Sequence, residues 1–306
     1  MAMTIYACGG AGINVVKQIK DLDININYID TSASNLKAVK SENIYLVEDM
    51  DGAGKNRVVA YENFKGNAAD VLVRFKPSEQ LNIVISSLTG GSGAILASLI
   101  TKELVDQGHN TIVIGLDSDG SLIELSNSVK TLKTYRAISK QISKPIPLYY
   151  VNQATRSDAD RQALGFITLM ALVIDKKRTA EFDNSDLNSF LYFDKTTVND
   201  PSVSVIEVTP NEEIVAEKNT SVVGTIFVTT SKDTTIKPVK PEYLATCLVT
   251  DTEYQNEDSR INAVLGKLPL IISSLEADIK ELEDSKRINR VNDVEVLDSN
   301  ADGIVI

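Results

Sequence analysis

Two textures of apolar and polar residues divide the chain. In the first half, "MTIYAC" (3–8), "ININYID" (24–30), "LNIVISSL" (81–88), "NTIVIGLD" (110–117) and "KPIPLYYVN" (144–152) read as buried strands. Helical spacing follows each of the first four, over about 13–20, a short piece from Ser34, 94–108 and 121–143. This alternation predicts an α/β fold, a Rossmann-like doubly wound parallel sheet with its ligand at the carboxyl ends of the strands. Residues 157–179 form a long central helix, so apolar that burial between two layers is expected. The texture then changes. "PSVSVIEVTP", "TSVVGTIFVTTS" and "YLATCLVT" alternate like half-exposed strands, predicting a smaller C-terminal α/β domain over 180–250.

Ile261, Val264, Leu265, Leu268, Ile272, Leu275, Ile279 and Leu282 suggest one face of a C-terminal helix over 251–290, kinked or restarted at Pro269. Residues 291–306 read as an extended acidic tail: no basic residue follows Arg290, and Asp293, Glu295, Asp298 and Asp302 precede an apolar "GIVI".

Composition narrows the chemistry. The 306 residues are 43% hydrophobic and 24% charged, enough for a substantial core. Two cysteines, Cys8 and Cys247, are too few for a disulfide framework or a cysteine-rich zinc site, and one histidine, His109, excludes a multi-histidine metal site. A net charge of −11 opposes direct binding to nucleic acid or anionic lipid. The start, "MAMTIYACGG", lacks a basic leader and the longest apolar stretch is too short to span a bilayer, so a cytoplasmic protein without a membrane partner is expected.

Two glycine-rich turns stand out, "CGGAGIN" after the first strand and "TGGSGA" after the third long one. Each can be a tight corner alone, but each also bares backbone N–H groups beside a helix start, which suits phosphate. At the ends of neighbouring strands, the two would converge on one ligand. A dinucleotide enzyme is an alternative, with Asp30 as the ribose-binding acid, although Val15 stands where that fingerprint needs its third glycine. A Walker A loop fails because Asn56 follows Lys55. A nucleophile at Ser92 would need His109 as its base, and that residue sits in a solvated turn feeding a strand from the opposite edge of the sheet.

The ordered set of loops over roughly the first 190 residues resembles the tubulin/FtsZ superfamily of GTP-dependent filament proteins. The resemblance implies a GTP-binding domain over 1–156, with GTP or GDP held by Gly9, Gly10, Ala11, Gly12 and Asn14 in the first loop. It assigns Asp30 and Thr31 to the second loop and Gly54, Lys55 and Asn56 to the third, with Arg57 a further candidate cation near the terminal phosphate. Thr89, Gly90, Gly91, Ser92 and Gly93 would cradle phosphates, Asp119 would meet the ribose, and Asn152 with Asp160 or Asp158 would read guanine. Magnesium is implied by a bound triphosphate, its protein ligands unknown. "EFDNSDLNSFL" resembles the loop that completes a neighbour's GTPase site, making Asp183 and Asp186 the catalytic pair. The implied partner is therefore the chain itself, in a head-to-tail polymer. The chain's end is similar to the bacteriophage branch, where a C-terminal tail docks on the adjoining subunit and filaments position phage DNA or particles in the infected bacterium. A nucleotide-binding scaffold without hydrolysis is the remaining alternative.

Overall fold

The structure, a computed structural model, describes residues 2–48, 61, 64–118, 120–176, 182–210, 219–231, 241–249 and 258–299, with side chains of the last helix described as far as Lys286. Its strands are β1 (Met3–Cys8), β2 (Asn25–Asp30), β3 (Ile44–Leu46), β4 (Leu81–Ser87), β5 (Thr111–Asp117), β6 (Ile146–Asn152), β7 (Val203–Pro210), β8 (Ser221–Thr229), β9 (Tyr243–Leu248) and β10 (Ser259–Leu265). Its α-helices are α1 (Gly9–Val16), α2 (Ala33–Leu36), α3 (Asn67–Arg74), α4 (Ser92–Asp106), α5 (Leu122–Ile142), α6 (Arg156–Lys176), α7 (Asn184–Leu191) and α8 (Lys267–Ser299).

The strands form one sheet in the order β3-β2-β1-β4-β5-β6-β7-β10-β8-β9. Every pairing from β3 to β7 is parallel, β10 is antiparallel to both β7 and β8, and β8 and β9 are parallel. The first six in this order repeat the doubly wound arrangement expected from the sequence. The later strands do not make a separate sheet: β7 pairs with β6 from Ile146↔Val203 to Tyr149↔Ile206, so the two halves share backbone hydrogen bonds as well as the central helix.

Side-chain alternation on β1 explains why that strand is apolar throughout. Met3, Ile5 and Ala7 enter the core beneath α1 and α6, while Tyr6 and Cys8 enter the core under α3 and α4. A strand covered on both faces cannot alternate with polar residues. The helix α6 fills the space between the parallel strands and the C-terminal strands with Ala163, Phe166, Ile167, Met170 and Val173. It is not buried all round, as its composition suggests, because Arg161, Gly165 and Thr168 lie on an exposed stripe.

The end of the chain departs most from its sequence pattern. Ile261 and Val264 belong to β10, not to a helix, and the helix begins at Lys267. Gly266 separates the two at φ +80°, a conformation that breaks a continuous helical spacing. Pro269 falls in the first turn of α8, where its missing N–H costs nothing, so it neither kinks nor restarts the helix. Leu268, Ile272 and Leu275 pack with Leu125, Val129 and Leu132 of α5. The helical backbone carries on through Ser299, so residues 291–299 are helical, not an extended tail.

A Cβ at Gly266 would lie 2.1 Å from the Asn219 carbonyl oxygen as well as in a left-handed conformation. Gly266→Ala is expected to destabilise the fold by more than the ~1–2 kcal/mol of the conformation alone. Urea denaturation of the two proteins measures it.

Candidate functional site

The carboxyl ends of β1 and β4 lie side by side, with Cys8 paired to Ser86. The glycine turns that follow them touch. Gly9 has φ +77°, and a Cβ built on it would meet the Gly93 Cα at 3.0 Å; one built on Gly93 would meet the Cys8 carbonyl oxygen at 2.9 Å. The two turns can occupy this space only without side chains. The helix α1 starts at Gly9 and so takes in the turn itself, four residues earlier than the sequence pattern suggests. The first N–H groups of a helix have no intrahelical acceptor, so this start supplies donors where the turns meet, and Gly90–Gly93 leads into a second such start at Ser92 of α4.

Beside this junction is a cavity of about 270 Å³ lined by Ala11 of the first turn, Thr89 of the second, and Asp160 in the first turns of α6. Ser87 and Thr89 share a hydroxyl hydrogen bond of 2.7 Å at the rim. From within α5, Asn127 Nδ2 donates to the Thr89 carbonyl at 3.2 Å and Thr131 Oγ1 to the Leu88 carbonyl at 2.9 Å, fixing the entry to the second turn. Asp160 receives a hydrogen bond of 3.2 Å from Gln18, just beyond α1, which also donates to the Asn14 carbonyl. Asp158 is engaged elsewhere, accepting from the Thr155 hydroxyl at 2.6 Å and from Arg161 at 2.8 Å. Of the two aspartates, Asp160 is the one that lines the cavity.

Other expected residues behave differently. Asp30 is buried and committed: Oδ1 accepts from the N–H groups of Thr31 and Ser32, and Oδ2 from Asn35 at 2.8 Å. Its carboxylate thus holds the turn after β2. It also acts on the first glycine turn, because the Asn35 amide it holds lies against Gly10. Thr31 is buried next to it, Gly12 is buried within α1, and the Asn14 side chain is exposed. Asn152 is exposed and is not part of the cavity wall; Gln153, the next residue, is. Gly54, Lys55, Asn56, Arg57 and Asp119 lie outside the described residues. His109 is half-buried at the amino end of β5, where burial lowers its pKa, far from Ser92 at the other end of the sheet.

Sequence reasoning missed Asp117 and Glu124 in the cavity wall. The Asp117 carboxylate accepts from Tyr150 (2.6 Å), Ser128 (2.7 Å) and its neighbour's N–H at Ser118 (3.0 Å). An acid ending a strand that faces a ligand edge was a visible signal, obscured by Asp119 two residues on. Glu124 caps α5, accepting from both the N–H and the hydroxyl of Ser121.

No family model matches the chain. The chain is 27% identical over 196 residues to a phage tubulin-like protein of Pseudomonas phage PhiPA3, covering 62% of this chain and 61% of that protein. It is 33% identical over 144 residues to a phage tubulin-like protein of Pseudomonas phage 201phi2-1, covering 47% and 45%. The chain thus matches about three fifths or less of these relatives' length. Among solved structures, the phage tubulin PhuZ with GDP superposes with a TM-score of 0.84 at 21% identity, over 94% of this chain and 93% of that one. A protofilament of TubZ from bacteriophage PhiKZ gives 0.82 at 22% identity, over 95% and 93%. FtsZ of M. jannaschii gives 0.63 at 16%, over 86% and 90%.

The chain has the tubulin/FtsZ fold and is similar to the phage tubulins. Neither acid of the D-x-x-D turn is among the residues lining the cavity. Asp183 is the N-cap of α7: its Oδ1 accepts from Ser185 N at 2.6 Å and Asp186 N at 3.1 Å, and Asp186 Oδ2 accepts from Asp183 N at 2.9 Å. The pair is therefore a reciprocal capping box. Shortly beyond the carboxyl end of the same helix, the Tyr192 hydroxyl bonds the His109 carbonyl beside the amino end of β5, whereas the cavity is at its carboxyl end.

The capping role makes alanine a confounded probe of these acids. Asp183→Ala is expected to cost about 1 kcal/mol of stability, whereas Asp183→Asn, which keeps a capping oxygen, should cost a few tenths. Paired denaturation curves distinguish the two.

Proposed function

We propose that this chain is a GTP-binding, GTP-hydrolysing subunit of a head-to-tail filament, a polymer of the phage-tubulin kind. The observation that carries the reading is the separation of two chemistries. A polar-lined cavity lies beside the glycine turns at the carboxyl ends of the parallel strands, and a paired-carboxylate turn stands outside its lining. Asp183 and Asp186 are not part of the cavity wall, so in this reading they serve a neighbour's nucleotide and not their own. Stacked head to tail, one subunit's acids meet the next subunit's cavity.

Within that site the backbone of the two glycine turns holds the phosphates, as helix starts do. Asp160 faces the cavity with acceptor oxygens suited to the N1 and N2 donors of guanine, which adenine does not offer in that pattern. Asp183 is exposed, and a carboxylate there orients a water and accepts its proton as it attacks the terminal phosphate of the neighbour. Magnesium, when bound, would supply charge neutralisation on the triphosphate. Among the described residues no group of three or more His, Cys, Asp or Glu side chains is arranged for a metal.

The acidic terminal segment docks on an adjoining subunit in this reading, and a net charge of −11 leaves phage DNA or particles to be carried through other proteins. Among the described residues no helix is long and apolar enough to cross a membrane.

Sedimentation with GTP, ATP or no nucleotide, alongside phosphate release, tests the reading. Assembly is expected with GTP alone, with turnover per subunit rising with protein concentration. Asp183→Asn should bind GTP and assemble but lose turnover by about a hundredfold or more, giving filaments that persist. GTP hydrolysis independent of protein concentration overturns the shared site. Polymer without any hydrolysis by the wild type leaves the scaffold alternative.

Asp160→Asn should narrow the preference for GTP over ATP by about tenfold or more, since an amide at this position can satisfy either base. Competition of both nucleotides for the protein, measured at equilibrium, gives the ratio.

A further inference from the structure

The acid pair proposed to act on a neighbour's nucleotide is held by a residue from outside its own turn. The Tyr243 hydroxyl, at the start of the edge strand β9, donates to Asp186 Oδ1 at 2.6 Å. The other oxygen of the same carboxylate accepts from the Asp183 N–H at 2.9 Å. With one oxygen fixed from the sheet and the other from the turn, the carboxylate plane cannot rotate freely. We infer that Tyr243 is a positioning residue for the D-x-x-D turn, orienting Asp186 and through it the Asp183 backbone; the inference rests on the shared-site reading above.

Three features of the packing suit this role. Phe190 of α7 lies against Gly224 of β8, where a Cβ would come within 3.3 Å of its ring, and Tyr243 is the register partner of that same Gly224. The helix is thus seated on the two strands next to the tyrosine. Leu187 and Leu191 are buried with Phe190, which anchors the body of α7 and leaves its first turn as the part whose orientation needs a further constraint. Burial first, and then the bond to Asp186, pushes the Tyr243 phenol up to about 12, so the hydroxyl keeps its proton and remains a donor at neutral pH.

The bond also has a high directional value at small structural cost. A 2.6 Å hydrogen bond to an ionised acceptor is of the strong class, yet removing the hydroxyl as Phe leaves the aromatic packing in place. A residue that merely stabilised the fold would affect folding and assembly. One that orients an acid affects the chemical step.

The test uses the full chain with Tyr243→Phe, Asp186→Asn and the double substitution. Tyr243→Phe is expected to leave the GTP dissociation constant and the critical concentration within about twofold, while lowering turnover per assembled subunit by about tenfold. In the Asp186→Asn background the same substitution should have no further effect, because the acceptor's charge is already gone. Wild-type turnover in Tyr243→Phe, with turnover lost in Asp186→Asn, overturns the inference and leaves the shared site intact. An equal fractional loss in both backgrounds also overturns it, placing the tyrosine's effect elsewhere. Undiminished turnover in Asp186→Asn overturns the shared-site role of that acid and this inference together.

Discussion

The approach of two side-chain-free turns at the ends of β1 and β4 is the constraint from which the rest of the site follows. Parallel pairing brings Cys8 beside Ser86, and the chains leaving those positions must cross within van der Waals distance to begin α1 and α4. A Cβ on Gly9 or Gly93 would close a gap of about 3.0 Å. The same absence of side chains that permits the crossing bares the backbone donors of both helix starts. Packing and any anion binding at these turns would therefore share one requirement at these positions.

Polar groups around the turns brace this crossing. Asp30 locks the turn after β2 and positions Asn35 against Gly10, while Asn127 and Thr131 hold the carbonyls of Thr89 and Leu88. Buried polar side chains with satisfied partners fix backbone more sharply than apolar contacts do, because an unmade bond in that setting costs more than a slack one. Asp30 shows such a role: its oxygens accept from the turn and from Asn35.

The parallel half of the fold was legible because two-sided burial writes itself into sequence as unbroken apolar runs, as in "MTIYAC" and "LNIVISSL". The convergence of the glycine turns was legible for the same reason, since strand adjacency follows from the winding. The end of the chain was not. Ile261, Val264, Leu265 and Leu268 fit a helical spacing by coincidence across a strand, a left-handed glycine and a helix start, and only Gly266 signalled the break. Of the residues the resemblance assigned to the base, Asp160 stands in the cavity wall, whereas Asn152 is exposed and its neighbour Gln153 is in the wall.

Asp183 and Asp186 carry the hardest ambiguity, because D-x-x-D before an apolar run is the signature of a capping box and of a paired-carboxylate site alike. The structure shows why the two need not compete. Capping uses Oδ1 of Asp183 and Oδ2 of Asp186, and Tyr243 uses Oδ1 of Asp186, while Asp183 itself remains exposed. Each carboxylate oxygen can accept more than one hydrogen bond, so a capped acid keeps acceptor capacity. The amino end of α7 also sets its positive dipole end beside both acids. The cap is thus a means of holding two like charges close together at a surface. The structural and chemical roles of the turn then depend on one another, since the backbone N–H groups that offset the repulsion are those of the helix the pair begins.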